Sequence, residues 1–262
     1  MKKIKLGIIL LVVFLTIAIY TNADNFIVIE PQFDAVESFS EGLAAVNIGG
    51  ESNYWRSISG GKWGYIDKTG KWVIEPKFSD AGSFSEGLAA VNIGGEYHYM
   101  FNSVIGGKWG YIDKTGKWVA EPQFYDAKSF SEDLAAVAIY YTKILDCRWG
   151  YIDTGKWVIT PKFDDANSFS EGLAAVKIDG KWGCIDKTGK WVIEPQFDRS
   201  FSFSKGLAVL KIDGKWGCIN KKGKVVIEPQ FGWYFSFSEG LAAVNIGGIM
   251  SGKWGYIRNP LE

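Results

Sequence analysis

The sequence predicts an all-β fold, in which a tandem array of six three-stranded antiparallel meanders follows an apolar N-terminal segment. A Trp-Gly pair recurs along the chain, at Trp63, Trp109, Trp149, Trp182, Trp216 and Trp254. Short runs of alternating apolar and polar residues flank each pair, and no run has a helical period over a long stretch. Repetition at a period of roughly 20 to 50 residues is typical of solenoids, propellers and other repeat arrays.

The N-terminal segment has the three parts of a secretory signal peptide. Met1 to Lys5 carries three lysines, residues 6–20 are apolar, and Thr21 to Ala23 offers small residues before a cleavage point. A retained membrane anchor is the main alternative, and a buried core helix is the third. We therefore divide the chain into residues 1–23, a signal peptide or anchor, and residues 24–262, the repeat domain. Both leading interpretations predict an extracytoplasmic protein, which meets a membrane only through residues 6–20 if they are not cleaved.

Each repeat begins with a predicted hairpin, which the fourth unit illustrates. Leu173 to Ile178 forms the first strand, and Asp179-Gly180 is a strong two-residue turn signal. Lys181 to Asp186 alternates in polarity and forms the second strand.

The third strand of the unit follows a second turn. Asp186 to Gly189 fits a type I turn that ends on a left-handed glycine. Lys190 to Glu194 is then the third strand, and Pro195 is expected to end it because proline cannot donate to a ladder. The connector from Phe197 to Gly206 carries three phenylalanines, at positions 197, 201 and 203, and is expected to lie over the core.

Stacking of neighbouring units is expected to bury two columns of aromatic residues. One column is the Trp-Gly series, whose glycine leaves room for a close approach. The second column consists of Trp72, Trp118, Trp157 and Trp191, with Val225 in the fifth copy. Cys184 and Cys218 occupy a column that elsewhere holds tyrosine, and Cys147 replaces a glycine. All three cysteines are predicted to be packing thiols without a disulfide framework.

The repeated word GKWGYIDKTGKW, at 61–72 and again at 107–118, resembles the motif of the bacterial WG-repeat proteins. The likeness covers Phe26 to Ile257. It implies an all-β repeat domain that is commonly exported or surface-linked, and it implies no enzymatic activity. The chain departs from the pattern at Asp153-Thr154-Gly155, which lacks the turn lysine, at Asp133, which replaces a glycine, and at Val225.

The two ends of the repeat region leave the overall arrangement open. Phe26 to Pro31 reads as the third strand of a unit, and Leu241 to Ile257 reads as the first two strands of another. Sharing one sheet between the ends would close a propeller-like toroid of six sheets. An open or superhelical array is the alternative.

Composition and motifs argue against catalysis and nucleic-acid binding. The chain has 29 basic and 29 acidic residues, so no basic excess attracts nucleic acid. No nucleophile, phosphate-binding or metal motif is present, and His98 is the single histidine. The glutamates before Gly-Leu-Ala and the aspartates of the turns recur in most units, which favours turn formation and Lys–Glu pairing across strands. No catalytic residue, metal or cofactor is expected.

The hairpins between strands one and two differ most from unit to unit. Four of them are longer than Asp-Gly and carry aromatic residues or methionine, and all should leave the same end of the meander. We predict that they form a ligand-binding surface for a protein or a cell-surface glycan. The alternative is that their rings only pack on each other. The candidate residues are Tyr54, Trp55, Arg56, Tyr97, His98, Tyr99, Phe101, Tyr140 and Tyr141.

The predicted function is that of a non-catalytic extracytoplasmic binding or scaffold module. The alternatives are a glycan-active enzyme with a site in a toroid channel, and a purely structural spacer.

Overall fold

The computed structural model describes residues 26–52, 58–98, 103–140, 147–247 and 252–261. All its regular elements are β-strands, in six antiparallel sheets. The first sheet contains β1 (Ala35–Val36), β2 (Leu43–Ser52), β3 (Ile58–Asp67) and β4 (Trp72–Phe78), and the second contains β5 (Asp80–Ala81), β6 (Leu88–His98), β7 (Ser103–Asp113) and β8 (Trp118–Phe124). The third contains β9 (Asp126–Ala127), β10 (Ala135–Tyr140), β11 (Cys147–Asp153) and β12 (Lys156–Phe163), and the fourth contains β13 (Asp165–Ala166), β14 (Leu173–Ile178), β15 (Lys181–Asp186) and β16 (Trp191–Phe197). The fifth contains β17 (Leu207–Ile212), β18 (Lys215–Asn220) and β19 (Val225–Phe231), and the last contains β20 (Leu241–Ile246) and β21 (Lys253–Arg258).

The all-β class and the six units are confirmed, and the prediction of three strands per unit needs a correction. In the first four sheets the connector adds a two-residue strand beside the first strand of the meander, as Ala81 does against Val91. The connectors of the last two units form no such strand. They carry Arg199-Ser200 and Trp233-Tyr234 where the second unit has Asp80-Ala81.

Both predicted turns of the fourth unit are present. Asp179 and Gly180 have φ values of 50° and 79° in the two-residue hairpin that joins Ile178 to Lys181. In the second turn Gly189 has φ 82°, and its N–H donates to the Asp186 carbonyl oxygen at 2.9 Å. The Asp186 carboxylate also accepts from the backbone and hydroxyl of Thr188, at 2.9 and 2.6 Å.

The prediction that Pro195 ends the third strand is wrong. The strand continues to Phe197, because residues 194–196 form a bulge between the Cys184–Ile193 and Trp182–Phe197 pairs. A proline is tolerated in a bulge, because a bulged residue does not need to donate a hydrogen bond to the neighbouring strand. The bulge lies over Gly183, as predicted for the glycine of the Trp-Gly pair: a Cβ there would lie 2.6 Å from the Ile193 carbonyl oxygen.

Neighbouring sheets stack face to face, which confirms the expected shared core. The two tryptophan columns are buried only in part, however, since Trp157 is 40% exposed and Trp254 is 64% exposed. We call the forward face of a sheet the side that carries the equivalents of Leu43, Ala45 and Tyr65, and the backward face the opposite side. The forward face of the first sheet packs against Val91 and Ile112 on the backward face of the second. The second tryptophan column contributes to the backward faces. Its rings meet the preceding unit edge-on in the pairs Phe78–Trp118, Phe124–Trp157 and Phe163–Trp191.

The tyrosine and cysteine column is matched to the connector that covers it. Tyr65 is fully buried and donates to the Gly82 carbonyl oxygen at 2.8 Å. In the fourth unit Cys184 stands in place of this tyrosine, and Phe201 stands in place of the glycine. The fifth unit repeats the exchange with Cys218 and Phe235. The smaller thiol thus accompanies a larger connector side chain. None of the three cysteines forms a disulfide among the described residues.

The glutamate before Gly-Leu-Ala joins one repeat to the next, so the predicted Lys–Glu pairing across strands is corrected. Glu41 accepts from the Gly87 N–H at 3.0 Å and pairs with Lys114 Nζ at 3.0 Å, both in the second unit. Lys114 holds the pKa of Glu41 below its usual value by hydrogen bonding to it. The same junction contacts recur as Glu86 with the N–H of Glu132, Glu132 with Gly172 and Lys187, and Glu171 with Gly206 and Lys221.

The third unit absorbs its departures from the pattern locally. Thr154 and Gly155, with φ values of 43° and 88°, make a tighter turn where the lysine is missing. The register of the unit is nevertheless kept, because Ile152 still pairs with Trp157, as Ile66 pairs with Trp72. Asp133 adopts the left-handed conformation of the glycine that it replaces, with φ 71°.

The array is open between its two ends. Among the described residues β21 pairs with β20 alone, and the predicted strand at Phe26 to Pro31 is not formed. Ile29 and Phe33 instead pack on the backward face of the first sheet, where Phe33 meets Trp72 edge-on. A toroid closed through a shared sheet is therefore not the arrangement seen. Residues 1–23 lie outside the described part of the chain. The described residues contain no helix that is long and apolar enough to cross a membrane.

Candidate functional site

The hairpins between strands one and two leave their sheets at one edge, which we call the hairpin edge. It consists of the described strand ends next to the hairpin turns of β2–β3, β6–β7, β10–β11, β14–β15, β17–β18 and β20–β21. The first two extend well beyond the core, with pairing that continues to Ser52–Ile58 and to His98–Ser103. In the fourth and fifth units the hairpins stop at two-residue turns. The longer hairpins are therefore additions to a common scaffold.

A buried asparagine fixes the base of each of the two longest hairpins. The Asn47 and Asn92 side chains are fully buried, and their Nδ2 groups donate to the carbonyl oxygens of Gly60 and Gly106, each at 3.3 Å. The Asn92 Oδ1 atom also accepts from the Gly95 N–H at 3.1 Å. A buried amide that bridges two strands favours the geometry in which it is hydrogen-bonded. The Asn92 amide bonds through both of its polar atoms, whereas the Asn47 Oδ1 atom has no partner among the described residues, so the Nδ2 contact alone bridges the first hairpin. The hairpins therefore project from fixed bases.

An aromatic and cationic cluster joins the second and third units at this edge. Tyr140 is 47% exposed, and its ring centroid lies 4.4 Å from that of Tyr125. Lys108 Nζ lies 5.3 Å from the Tyr140 ring centroid, within the range of a cation–π contact. Burial and the neighbouring Tyr140 raise the pKa of Tyr125. The base of one hairpin thus contacts the next, which makes the edge continuous across these units.

Ion pairs continue the edge through the next two units. Arg148 pairs with Asp164, and Lys181 Nζ lies 2.5 Å from Asp198 Oδ1. The hydrogen bond from Lys181 lowers the pKa of Asp198. The edge thus changes along the array from aromatic residues to paired charges.

The structure places three of the predicted binding residues at this edge. Tyr97 and His98 lie at the outer end of β6, opposite Val104 and Ser103, and only their backbone is described. Tyr140 ends β10 opposite Cys147, and its ring lies in the cluster above. The other candidates lie outside the described residues; they are Tyr54, Trp55, Arg56, Tyr99, Phe101 and Tyr141.

Sequence reasoning missed the asparagines that anchor the hairpins, although a signal was present. Asn-Ile-Gly-Gly occurs at 47–50, 92–95 and 245–248, and it begins three of the four longer hairpins. The units with Asp-Gly turns carry Lys177 and Lys211 at the same position. Tyr125 and Lys108 were also missed, because Tyr125 belongs to the connector beside β10 and Lys108 to the preceding unit, so neither contact with Tyr140 is local in sequence.

The chemistry available elsewhere in the described residues is limited. No group of three or more His, Cys, Asp or Glu side chains there is placed to hold a metal ion. Burial raises the pKa of the Cys184 thiol to about 12 and that of Cys218 to about 11, so neither is a ready nucleophile. A cavity of about 330 Å³ lies in the fifth unit, lined by Trp216, Tyr234 and serines of the connectors.

Comparison with known proteins gives a family and two folds. The family model described as a WG containing repeat matches residues 20–51, 63–97, 109–140, 149–182, 182–216 and 216–254. No curated protein matches the chain. A crystal structure titled as the eukaryotic initiation factor is 12% identical with a TM-score of 0.51, and the match covers 84% of this chain and 62% of that one. The extracellular domain of a putative hybrid two-component system from B. thetaiotaomicron is 14% identical with a TM-score of 0.39, and the match covers 88% of this chain and 40% of that one. This chain thus spans less than two thirds of either, and the first likeness shows a shared fold alone.

Proposed function

We propose that this chain, which belongs to the family of WG-containing repeat proteins, is a non-catalytic binding or scaffold module outside the cytoplasm. Its ligand is a protein or a cell-envelope glycan, which the hairpin edge contacts. The observation that carries the proposal is the pair of long hairpins that project from bases fixed by Asn47 and Asn92. Fixed bases reduce the conformational entropy that these hairpins lose when a ligand binds.

The composition of the edge suits recognition. Tyr140 is half exposed beside Tyr125 and under Lys108, and tyrosine is enriched at binding hot spots. Aromatic rings also stack on sugar faces, which is why a glycan remains one of the two ligand classes. The extracytoplasmic location is supported by the sequence of residues 1–23, with its lysines, apolar run and small residues.

Two other functions have less support. A glycan-active site in a toroid channel needs the two ends of the array to share a sheet, and β21 has no partner other than β20 among the described residues. A purely structural spacer would not need buried amides at the bases of its hairpins.

Binding to the two ligand classes can be measured with one hairpin variant. It replaces Tyr54, Trp55, Tyr97, Tyr99 and Tyr140 with alanine. Its binding to purified envelope glycan is measured by co-sedimentation, and its binding to envelope proteins by cross-linking on intact cells. We expect the variant to lose at least about tenfold in affinity for one of the two, which is a loss typical of hot-spot residues.

A matched control replaces exposed apolar residues of the third strands, away from the hairpin edge. Val73, Val158 and Val192 are 42%, 46% and 39% exposed and are changed to alanine. This control should bind like the unmodified chain, and both variants should keep the far-UV circular dichroism of a β-sheet protein. If the hairpin variant binds both ligand classes as well as the control does, the hairpin edge is not the binding surface.

A further inference from the structure

The forward face of the last sheet is uncovered among the described residues. Trp254 and Tyr256 are 64% and 76% exposed, and Leu241 is 47% exposed. The equivalent tyrosines of the first three sheets, Tyr65, Tyr111 and Tyr151, are 1% exposed or less. A face that forms the core at other junctions of this chain is thus presented to solvent here. Exposed apolar patches of this kind mark interaction sites.

The backward face of the first sheet is only partly covered. Ile29 and Phe33 occupy the places that Ile74 and Phe78 take at the next junction. The first two strands of such a preceding unit have no counterpart among the described residues. Their place is a cavity of about 320 Å³, lined among others by Val36, Phe39, Ala44, Val46 and Ile66. Val36 is 63% exposed, whereas its equivalent Ala81 is buried.

We propose that a second copy of this chain binds here, head to tail. The β20–β21 hairpin of one copy fills the cavity at the first sheet of the next copy. Residues 26–33 of that next copy then add to β21 as the missing third strand. The register follows from the first unit, where Tyr65 pairs with Ile74 and Trp63 pairs with Phe78. Tyr256 would therefore pair with Ile29 of the next copy, and Trp254 with its Phe33.

The residue types of the tyrosine and cysteine column, and of the connector residues that cover it, support this contact independently. Buried tyrosines in this chain lie against Gly82, Lys128 or Asn167 and donate to the backbone carbonyl of that residue. Cys184 and Cys218, which replace this tyrosine in the fourth and fifth units, lie instead against connectors that carry phenylalanine at this position. The last unit has a tyrosine, and the connector of the first unit carries Glu37 at the matching position. Tyr256 thus fits the connector of the next copy, whose Glu37 carbonyl oxygen would accept its hydroxyl proton.

The charges at the two ends are also complementary. At the inner junctions Glu41, Glu132 and Glu171 each pair with a lysine in the turn of a following unit. Among the described contacts, Glu239 of the last unit and Lys68 of the first unit form no ion pair. A head-to-tail contact would bring these two side chains together, in the same way that the Glu–Lys ion pairs join successive units within the chain. Such a contact is heterologous, so each added copy presents a new free end. The proposal stands apart from ligand binding at the hairpin edge.

Two variants block the two ends separately. Gly255→Ala blocks the tail, which is the last sheet. In the free chain no atom lies within 4 Å of the added Cβ. At the equivalent Gly64, where a third strand is present, a Cβ would lie 2.6 Å from the Ile74 carbonyl oxygen, so the alanine should obstruct the incoming strand. Val36→Arg blocks the head by placing a charge in the cavity. Val192→Arg, at a third-strand valine that is 39% exposed, is the control for Val36→Arg.

Sedimentation velocity over a concentration series tests the proposal on the full chain as processed by the expressing cell. We expect the unmodified chain and Val192→Arg to grow beyond dimers as concentration rises. Each blocked variant should associate at least about tenfold more weakly, as overpacking of a junction predicts. An equimolar mixture of the two should form a one-to-one complex, because each retains the end that the other has lost.

Four results would overturn the proposal. They are a monomer at every concentration, a dimer that stops at two copies, a mixture that forms no complex, and a monomer in which β21 and residues 26–33 cross-link within one chain. As a further readout, Glu239→Lys should weaken association, and adding Lys68→Glu should restore it. Restoration would not be expected from nonspecific aggregation.

Discussion

The glycine of the Trp-Gly pair is predicted to be required because the third strand crosses directly over it. In the fourth unit, a Cβ added at Gly183 would lie 2.6 Å from the Ile193 carbonyl oxygen, 2.8 Å from Pro195 N and 2.9 Å from Trp191 Cζ3. Two of these three atoms belong to the backbone of the third strand, with Pro195 N inside the bulge and the Ile193 oxygen next to it; the bulge is held between the Cys184–Ile193 and Trp182–Phe197 pairs. Gly183→Ala must therefore push the bulge outward.

The magnitude follows from two opposing effects. Overpacking of this kind costs about 1–3 kcal/mol. Gly183 does not have a positive φ, so alanine suits its backbone and offsets about 0.4–1 kcal/mol by restricting the unfolded chain. We therefore expect Gly183→Ala to lower the free energy of unfolding by about 1.3 kcal/mol, the middle of a range of about 0–2.6 kcal/mol.

Urea denaturation followed by tryptophan fluorescence measures this effect at protein concentrations where the chain is monomeric. Gly255→Ala is the matched control, since it changes the same position of the repeat where no atom lies within 4 Å of the new Cβ. The control should be neutral or slightly stabilising. If Gly183→Ala is as stable as Gly255→Ala, close approach of the third strand is not the reason for the glycine.

Three further predictions concern the hairpin bases, the core and the junctions. Asn92→Ala should speed amide exchange in residues 93–98 and cost about 1–3 kcal/mol, because it removes two hydrogen bonds, to the Gly106 carbonyl oxygen and from the Gly95 N–H; unchanged exchange would show that the hairpin needs no anchor. Cys184→Tyr should destabilise the chain, and adding Phe201→Gly should recover part of the loss; in a double-mutant cycle we expect a coupling energy of about 0.5–3 kcal/mol, and additive effects would contradict the exchange of volumes. The pKa of Glu41 is lowered in the fold, chiefly by the hydrogen bond from Lys114, so its contribution is present above the unfolded pKa of about 4.3 and is lost as pH falls through the folded value. Glu41→Gln should therefore flatten the acid side of the stability profile measured by urea denaturation, and an unchanged slope would refute this.

Features set by a few consecutive residues could be predicted from the sequence. The Asp179-Gly180 hairpin and the turn from Asp186 to Gly189 follow from residues that stabilise left-handed or tight backbone locally. The Trp-Gly glycine also gave a correct expectation of close approach. The proline bulge was missed because Pro195 was treated as the end of a strand. The strand in fact resumes its pairing at Phe197, four residues after Ile193.

Features that depend on contacts between units could not be predicted from one copy of the motif. Glu41 bonds to Gly87 and Lys114, which lie far along the chain, and only the stacking distance brings them together. The short strand at Asp80–Ala81 has too few residues to show alternation. For the candidate site, the sequence indicated the correct edge for Tyr97, His98 and Tyr140, while the aromatic contact of Tyr140 with Tyr125 joins two separate segments.

The central claim is that neighbouring sheets cover one another's faces and that the forward face of the last sheet has no cover among the described residues. Hydrogen exchange followed by mass spectrometry at low and high protein concentration tests it most directly. We predict that residues 253–258 and 26–33 become protected together as concentration rises, and that Gly255→Ala abolishes this change in both segments. Exchange that is independent of concentration in both segments would contradict the claim.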